Sequence, residues 1–366
     1  MNVSLNNLES SLPKAKSRAN NFGLLRLFFA SLVIVSHSPE LVDGDRSREI
    51  LTRLFGTLSF GEIAVDGFFL ISGFLIVKSF VESRSLTSYF LKRLFRIVPG
   101  YLVCFWACVL ILAPLVGAKR ELFTAGPIAR LVGKTVFLLQ PYVDGAFHGL
   151  HYELLDGPMW TIAYEFRCYI AAALLGLIGL YNPRFRLLIL FLTLGFIVLN
   201  ASDYFSGVSL RGDRVLGTLE RNVRFLSIFL VGAIYFIFRD RIRFTNLGAL
   251  IAVTSLIPMF FFHLTAEAAF AVFGGYLIFW FAFKVPVLRL GLIGQDNDIS
   301  YGVYLYAWPI QSSIVWCNPS INPWVLCLLS MVGAAIFGYA SWMIVERPAL
   351  GWLRTRLVPL PAGQKA

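Results

Sequence analysis

The stretch "LLRLFFASLVIVSH" (residues 24–37) is apolar enough for a membrane helix, yet it carries Arg26 near its start and His37 at its end. A spanning helix needs about 20 largely apolar residues. Ionisable groups within one are costly unless they face a cavity or a partner. Eleven residues at about 100° each come back to within about 20° of the starting direction, so the two side chains share one face, roughly 16 Å apart along the axis. Plain roles are open to both. Arg26 fits a snorkelling anchor at the membrane surface, and His37 fits an interfacial histidine that caps the helix before "SPE".

The rest of the chain has the same character. Its 366 residues are 57% hydrophobic and only 14% charged, where a soluble domain is nearer a quarter charged. This composition implies an all-α, polytopic membrane helix bundle forming one unit. Apolar runs lie near 22–39, 60–80, 98–117, 157–180, 187–201, 223–238, 246–263, 268–284, 299–317 and 323–345, which predicts about ten transmembrane helices. The stretch "IARLVGKTVFLLQ" (128–140) is too short and too charged to span and reads as interfacial or re-entrant. The net charge of +11 fits the positive-inside pattern. With no soluble basic module in the chain, nucleic-acid binding is excluded.

Placing the N-terminus inside puts most of the Lys and Arg on the inner side, with the short loops "YNPRFR" and "RDRIRF" the strongest local signals. Both termini are then cytoplasmic. Residues 1–21 form a polar cytoplasmic segment without a cleavable signal, 22–346 the transmembrane domain, and 347–366 a cytoplasmic tail. The five cysteines (Cys104, Cys108, Cys168, Cys317 and Cys327) form no Cys-x-x-Cys pair, and most sit in apolar runs. They read as buried thiols, so neither a disulfide framework nor a metal site is expected.

Three more stretches carry misplaced charge. In "GPMWTIAYEFRCYIAAALLGL" (157–177), Glu165 lies within a span and shares a face with Tyr169. Arg167, about 200° round the helix, points elsewhere. A buried carboxylate needs a partner on another helix, and that partnership could be catalytic or a structural ion pair. In "SYFLKRLFRIVPGY" (88–101), Arg93 and Arg96 are i, i+3 neighbours on one face. Such a pair suits phosphate oxygens, which arginine grips in a bidentate fork, but it also fits ordinary inner-side charge. In "GEIAVDGFFLISGFLI" (61–76), Asp66 and Gly73 share a face, as close helix packing also requires.

Taken together and in this order, these stretches resemble acyltransferase family 3, the bacterial inner-membrane O-acyltransferases, from about residue 20 to 348. The family's basic residue, ten residues and a histidine are matched by Arg26 and His37. "AVDGFFLISGF" matches its second helix, with Ala64 for the usual glycine, and Arg93 and Arg96 match its Arg-x-x-Arg. Trp160, Thr161 and Glu165 match its Trp-Ser/Thr…Glu motif. "ISYGVYLYAWP" (299–309) matches a late motif, but Ala307 replaces the common histidine, which leaves His37 alone. No esterase-type soluble domain follows, although some relatives carry one.

The resemblance implies transfer of an acyl group, usually acetyl, from cytoplasmic acyl-CoA to a hydroxyl of a cell-envelope or secreted glycan or lipid-linked sugar. Acyl-CoA is then a donor substrate, and no cofactor is held permanently. The implied site has His37 and Glu165 as catalytic residues. His37 acts as general base or is itself acylated, and Glu165 holds the imidazole. Arg26, Arg93 and Arg96 bind the phosphates of coenzyme A. Asp66, Trp160, Tyr164, Tyr301 and Tyr304 are the candidate substrate contacts.

A transporter or flippase of an envelope lipid or glycan precursor is the alternative, with Arg26 and Glu165 as substrate or proton sites. A non-catalytic membrane partner of a separate transferase is a third reading. The lack of an inverted repeat and the single arginine pair favour transfer. Acceptor choice falls to the outer loops 40–58, 118–156 and 202–221. His148 and His151, in "FHGLHYELLDG", sit there as surface or acceptor-contacting residues or, less simply, metal ligands.

Overall fold

The structure is a computed structural model that describes residues 20–119, 123–286 and 297–357. The N-terminal segment 1–21 lies outside the described residues except for 20 and 21, and so does the tail beyond 357. Helices and turns, and no strand, make up the described residues. The helices are α1 (Phe22–Asp43), α2 (Ile50–Phe55), α3 (Phe60–Val81), α4 (Leu86–Leu115), α5 (Ala125–Val136), α6 (Thr161–Leu177), α7 (Arg186–Ala201), α8 (Asp213–Leu216), α9 (Leu219–Ile237), α10 (Asn246–Met259), α11 (His263–Lys284), α12 (Ser300–Cys317) and α13 (Pro323–Arg356). Residue 346, expected to end the transmembrane domain, falls inside α13, which runs on past it through a π-helical turn at Trp342–Glu346.

Each of the ten apolar runs is a helix, but six of the described helices are long and apolar enough to cross a membrane: α1, α3, α4, α7 with the turn before it, α11 and α13. The other four runs stay short of that for physical reasons. α6 has 17 residues and α10 has 14, short of the roughly 20 a bilayer core requires. α9 opens with Glu220, Arg221 and Arg224, and α12 is diluted by Tyr, Ser and Gln. α4 starts at Leu86, well ahead of 98, because Ser85 caps it by accepting the Ser88 N–H. Those extra three or so amphipathic turns are what carry Arg93 and Arg96. α5 covers most of the stretch read as interfacial, and Leu131 is its one buried residue.

α3 is the centre of the bundle, packed against α1, α6 and α9. A Cβ on Gly73 would lie 2.0 Å from the Phe229 carbonyl oxygen, and one on Gly232 would lie 2.1 Å from that of Leu70. These backbones can meet only as glycines. Asp66 shares the face of Gly73 and is turned to the same helix, where it meets Arg224. The clash at Gly73 is with backbone, which cannot rotate away. Gly73→Ala is therefore expected to cost about 1–3 kcal/mol through overpacking, read as a lowered thermal midpoint in detergent; an unchanged midpoint would show that the crossing can open freely.

Away from this core, Leu187, Phe191, Leu194 and Val198 on α7 and Leu328, Val332 and Ile336 on α13 are exposed. Apolar outer faces of this kind suit lipid rather than water.

The end of α1 sets up the site. Pro39 gives the helix no N–H for the Val35 carbonyl. Beside that break, Gln311 of α12 donates to Ile34 O at 3.0 Å and to Ser38 Oγ at 2.8 Å, and α1 continues to Asp43. Gly44 then adopts φ +81°, its N–H on Glu40 O, and turns the chain back over the helix end. This turn returns Arg46 to Glu40.

Candidate active site

Residues from five helices line a cavity of about 130 Å³. α1 gives Arg26, α3 gives Ser72, α4 gives Arg93 and Arg96, α6 gives Glu165 and Tyr169, and α12 gives Tyr301 and Tyr304. The rest of the wall is largely apolar, including Phe68, Phe69, Ile71 and Leu75. A pocket of mainly apolar wall with a few converging polar groups is the usual form of a small-molecule site.

The arginines are not equivalent. Arg26 donates to Asp298 Oδ2 at 2.7 Å and Arg96 donates to the same oxygen at 2.6 Å. Arg96 also stands 3.7 Å from Glu346 Oε2 on α13. Burial raises the Asp298 pKa, but the Arg96 and Arg26 charges outweigh it, and the carboxyl sits at about 2. It therefore stays ionised and holds both guanidiniums in place. Arg93 has only the Ser79 hydroxyl at 3.3 Å, its Nε is buried without a partner, and it makes no ion pair among the described residues. Arg93 is thus the arginine left with donors for an incoming anion. Asp298 and Glu346 had no signal in the sequence, since each is far along the chain from the arginines it meets.

Glu165 accepts from Ser72 Oγ at 2.8 Å and from the Tyr169 hydroxyl at 2.5 Å. The shared face of Glu165 and Tyr169 is as expected, and Arg167 does turn away, donating to Val215 O at 2.8 Å. The expected partnership of Glu165 with His37 is absent. His37 Nδ1 meets Glu40 Oε2 at 2.7 Å instead, one helical turn along α1. Arg46 Nε backs the same carboxylate oxygen at 3.1 Å, while its Nη1 reaches Ser59, the cap of α3, at 3.1 Å. The Trp308 ring stands edge-on to the imidazole, with centroids 5.0 Å apart, and is fixed by its own Nε1 bond to Leu154 O. A carboxylate on Nδ1 puts the ring proton there and leaves Nε2 as the free base. Nε2 has no partner among the described residues.

The remaining candidates divide. Tyr301 and Tyr304 line the cavity, anchored on Ile97 O and Pro158 O, and Tyr304 also meets Thr161. Asp66, Trp160 and Tyr164 do not line it. Asp66 is fully buried and spent on Arg224, which also binds Glu267. Trp160 and Tyr164 stack under Arg221 and Arg167, at 4.7 and 4.4 Å from their ring centroids. Their polar and aromatic faces are used in packing α6 against α9. His148 and His151 lie in turns rather than on one helical face. His148 is exposed and bonded to Glu153 at 2.9 Å, and His151 lies against Gly44.

The chain is similar to known proteins over nearly its whole length. The family model described as an acyltransferase domain matches residues 20–345. The chain is 28% identical over 333 residues to the O-acetyl transferase of Shigella phage Sf6, covering 90% of this chain and 96% of that protein. It is also 28% identical over 374 residues to Nodulation protein 10 of Rhizobium leguminosarum bv. viciae, covering 93% and 95%. No solved structure matches it significantly. With the match running from the start of α1 into α13, across every helix that lines the cavity, the chain belongs to acyltransferase family 3 and is an O-acyltransferase.

Proposed function

We propose that the protein moves an acetyl group from cytoplasmic acetyl-CoA to a hydroxyl of a cell-envelope or secreted glycan, as a multi-pass protein of the bacterial inner membrane. The observation that carries this reading is the His37–Glu40–Arg46 series on the helix that also delivers Arg26 to the cavity. Such a series makes a poised base, and a base is what an alcohol needs before it can attack a thioester. His37 Nε2 takes the acceptor's proton as its oxygen bonds to the thioester carbon. The carbon–sulfur bond breaks and the thiolate of coenzyme A leaves, taking the proton back from the imidazolium. Glu40 stabilises the positive imidazolium meanwhile, and Arg46 holds Glu40 in place. The acetyl choice is supported by the name of the phage relative.

The donor's phosphates are assigned to Arg93, with Arg26 and Arg96 as a fixed positive wall behind it. The pantetheine arm then runs along the α1 face from Arg26 toward His37, roughly 16 Å on. Purified protein in detergent, given labelled acetyl-CoA and an envelope glycan fraction, is expected to release thiol and label the glycan together. A transporter would consume no donor.

Arg93→Ala is expected to raise the KM for acetyl-CoA roughly 10- to 100-fold, the value of one or two charge-assisted hydrogen bonds. Lysine should restore only part of it. The penalty should vanish with acetyl-pantetheine, which lacks the nucleotide phosphates. Equal losses with both donors would make Arg93 a structural anchor.

A further inference from the structure

The structure brings together three groups that the acyl-transfer reading does not use. Cys104 and Cys108 stand one turn apart on α4, and Asp156 reaches them from the loop ahead of α6. One ligand atom from each lies within 4.8 Å of the other two, and all three residues are buried. Asp156 Oδ1 accepts the Met159 N–H at 3.2 Å. Its other oxygen has only Cys104 Sγ, at 4.0 Å, and no cationic side chain pairs with it among the described residues. A carboxylate buried this deeply needs either a proton or a cation. The helix is also irregular beside this cluster. α4 breaks its α-helical ladder at this place, and the residues from Cys108 to Leu112 form a π-helical turn. Such turns re-aim side chains and recur at functional sites.

We propose that Cys104, Cys108 and Asp156 bind one zinc ion. Two thiolate sulfurs with one carboxylate oxygen form a borderline-soft set that suits zinc. Calcium or magnesium prefers all-oxygen ligands, and copper(I) has little use for the carboxylate. The Leu305 carbonyl oxygen, 3.5 Å from Cys104 Sγ, is at hand as a neutral fourth ligand. On binding, both thiols lose their protons to solvent, so the dication meets three anionic ligands. The ion ties α4, which carries Arg93 and Arg96, to the loop leading into Thr161 and Glu165. Its role is to fix two walls of the cavity against each other, away from the transferred group.

The sequence conceals this site because the two cysteines lack a paired motif and the third ligand lies in a distant loop. The alternative is a dry cluster of two thiols and a protonated carboxyl, and metal analysis separates the two independently of acyl transfer. Full-length protein should be produced in zinc-supplemented medium, purified in detergent on a tag that does not bind metal, and analysed by mass spectrometry. It is expected to hold about one zinc per chain. Cys104→Ser, Cys108→Ser and Asp156→Asn should each lower that content about 10-fold or more, while Cys168→Ser, a buried cysteine elsewhere, should keep it. Cobalt exchanged into the wild-type protein should give thiolate-to-cobalt charge-transfer absorption, a readout that needs no variant to fold. Metal-free, monodisperse wild-type protein without that absorption, or full zinc content in the Cys104 and Cys108 variants, overturns the proposal.

Discussion

His37→Ala is expected to lower acyl transfer by about 10²–10⁴-fold, the usual cost of removing a general base, while the protein still inserts, folds and binds its donor. The fold should survive because, among the described residues, His37 bonds only Glu40 and touches Trp308 by an edge. Neither contact joins the α3–α9 crossing that centres the bundle. Donor affinity should survive because the cavity wall of arginines is built without His37. The measurement is kcat and KM for acetyl-CoA with a fixed glycan acceptor, alongside the thermal midpoint. A well-folded His37→Ala protein with near-normal kcat would remove the base from the mechanism. His37→Gln keeps the size and one polar atom of the ring but cannot take up the proton, so it should be as inactive as alanine.

The second large effect concerns which carboxylate serves His37. Glu40→Gln is expected to lower kcat roughly 10²–10⁴-fold with little change in donor KM. An amide cannot stabilise the imidazolium, and its N–H₂ can favour the wrong tautomer. Glu165→Gln is expected to act on donor KM, since Glu165 lies in the cavity wall with Ser72 and Tyr169 and apart from the imidazole. The two variants therefore split kcat from KM. If Glu165→Gln loses kcat and Glu40→Gln keeps it, α1 and α6 must rearrange when the donor binds, and the arrangement of His37 described above is a resting one. Arg46→Ala offers a graded control. It removes the group behind Glu40 without touching the imidazole, so its loss should fall short of that of Glu40→Gln.

The sequence by itself determined what depends on neighbours along the chain. Apolar runs located ten of the helices, because burying backbone polar groups away from water forces a helix wherever the side chains are apolar. Helical periodicity placed Arg93 with Arg96, and Glu165 with Tyr169, on common faces, and the structure keeps both. Glu40 was equally local, one turn after His37 in "HSPE". It escaped notice because Ser38 and Pro39 read as a helix end, whereas Gln311 from α12 bonds the helix beside the break and lets it continue.

Tertiary structure decided every pairing between helices. The rotation and depth of one helix against another are set by packing, as at Gly73 and Gly232, and no period in the sequence encodes them. Hence Asp66 went to Arg224, Asp298 gathered Arg26 and Arg96, and Arg93 was left with only the Ser79 hydroxyl. Asp156 was carried to Cys104 and Cys108 in the same way. Charge buried in an apolar medium must find a partner, but which partner it finds follows from where the backbones can approach.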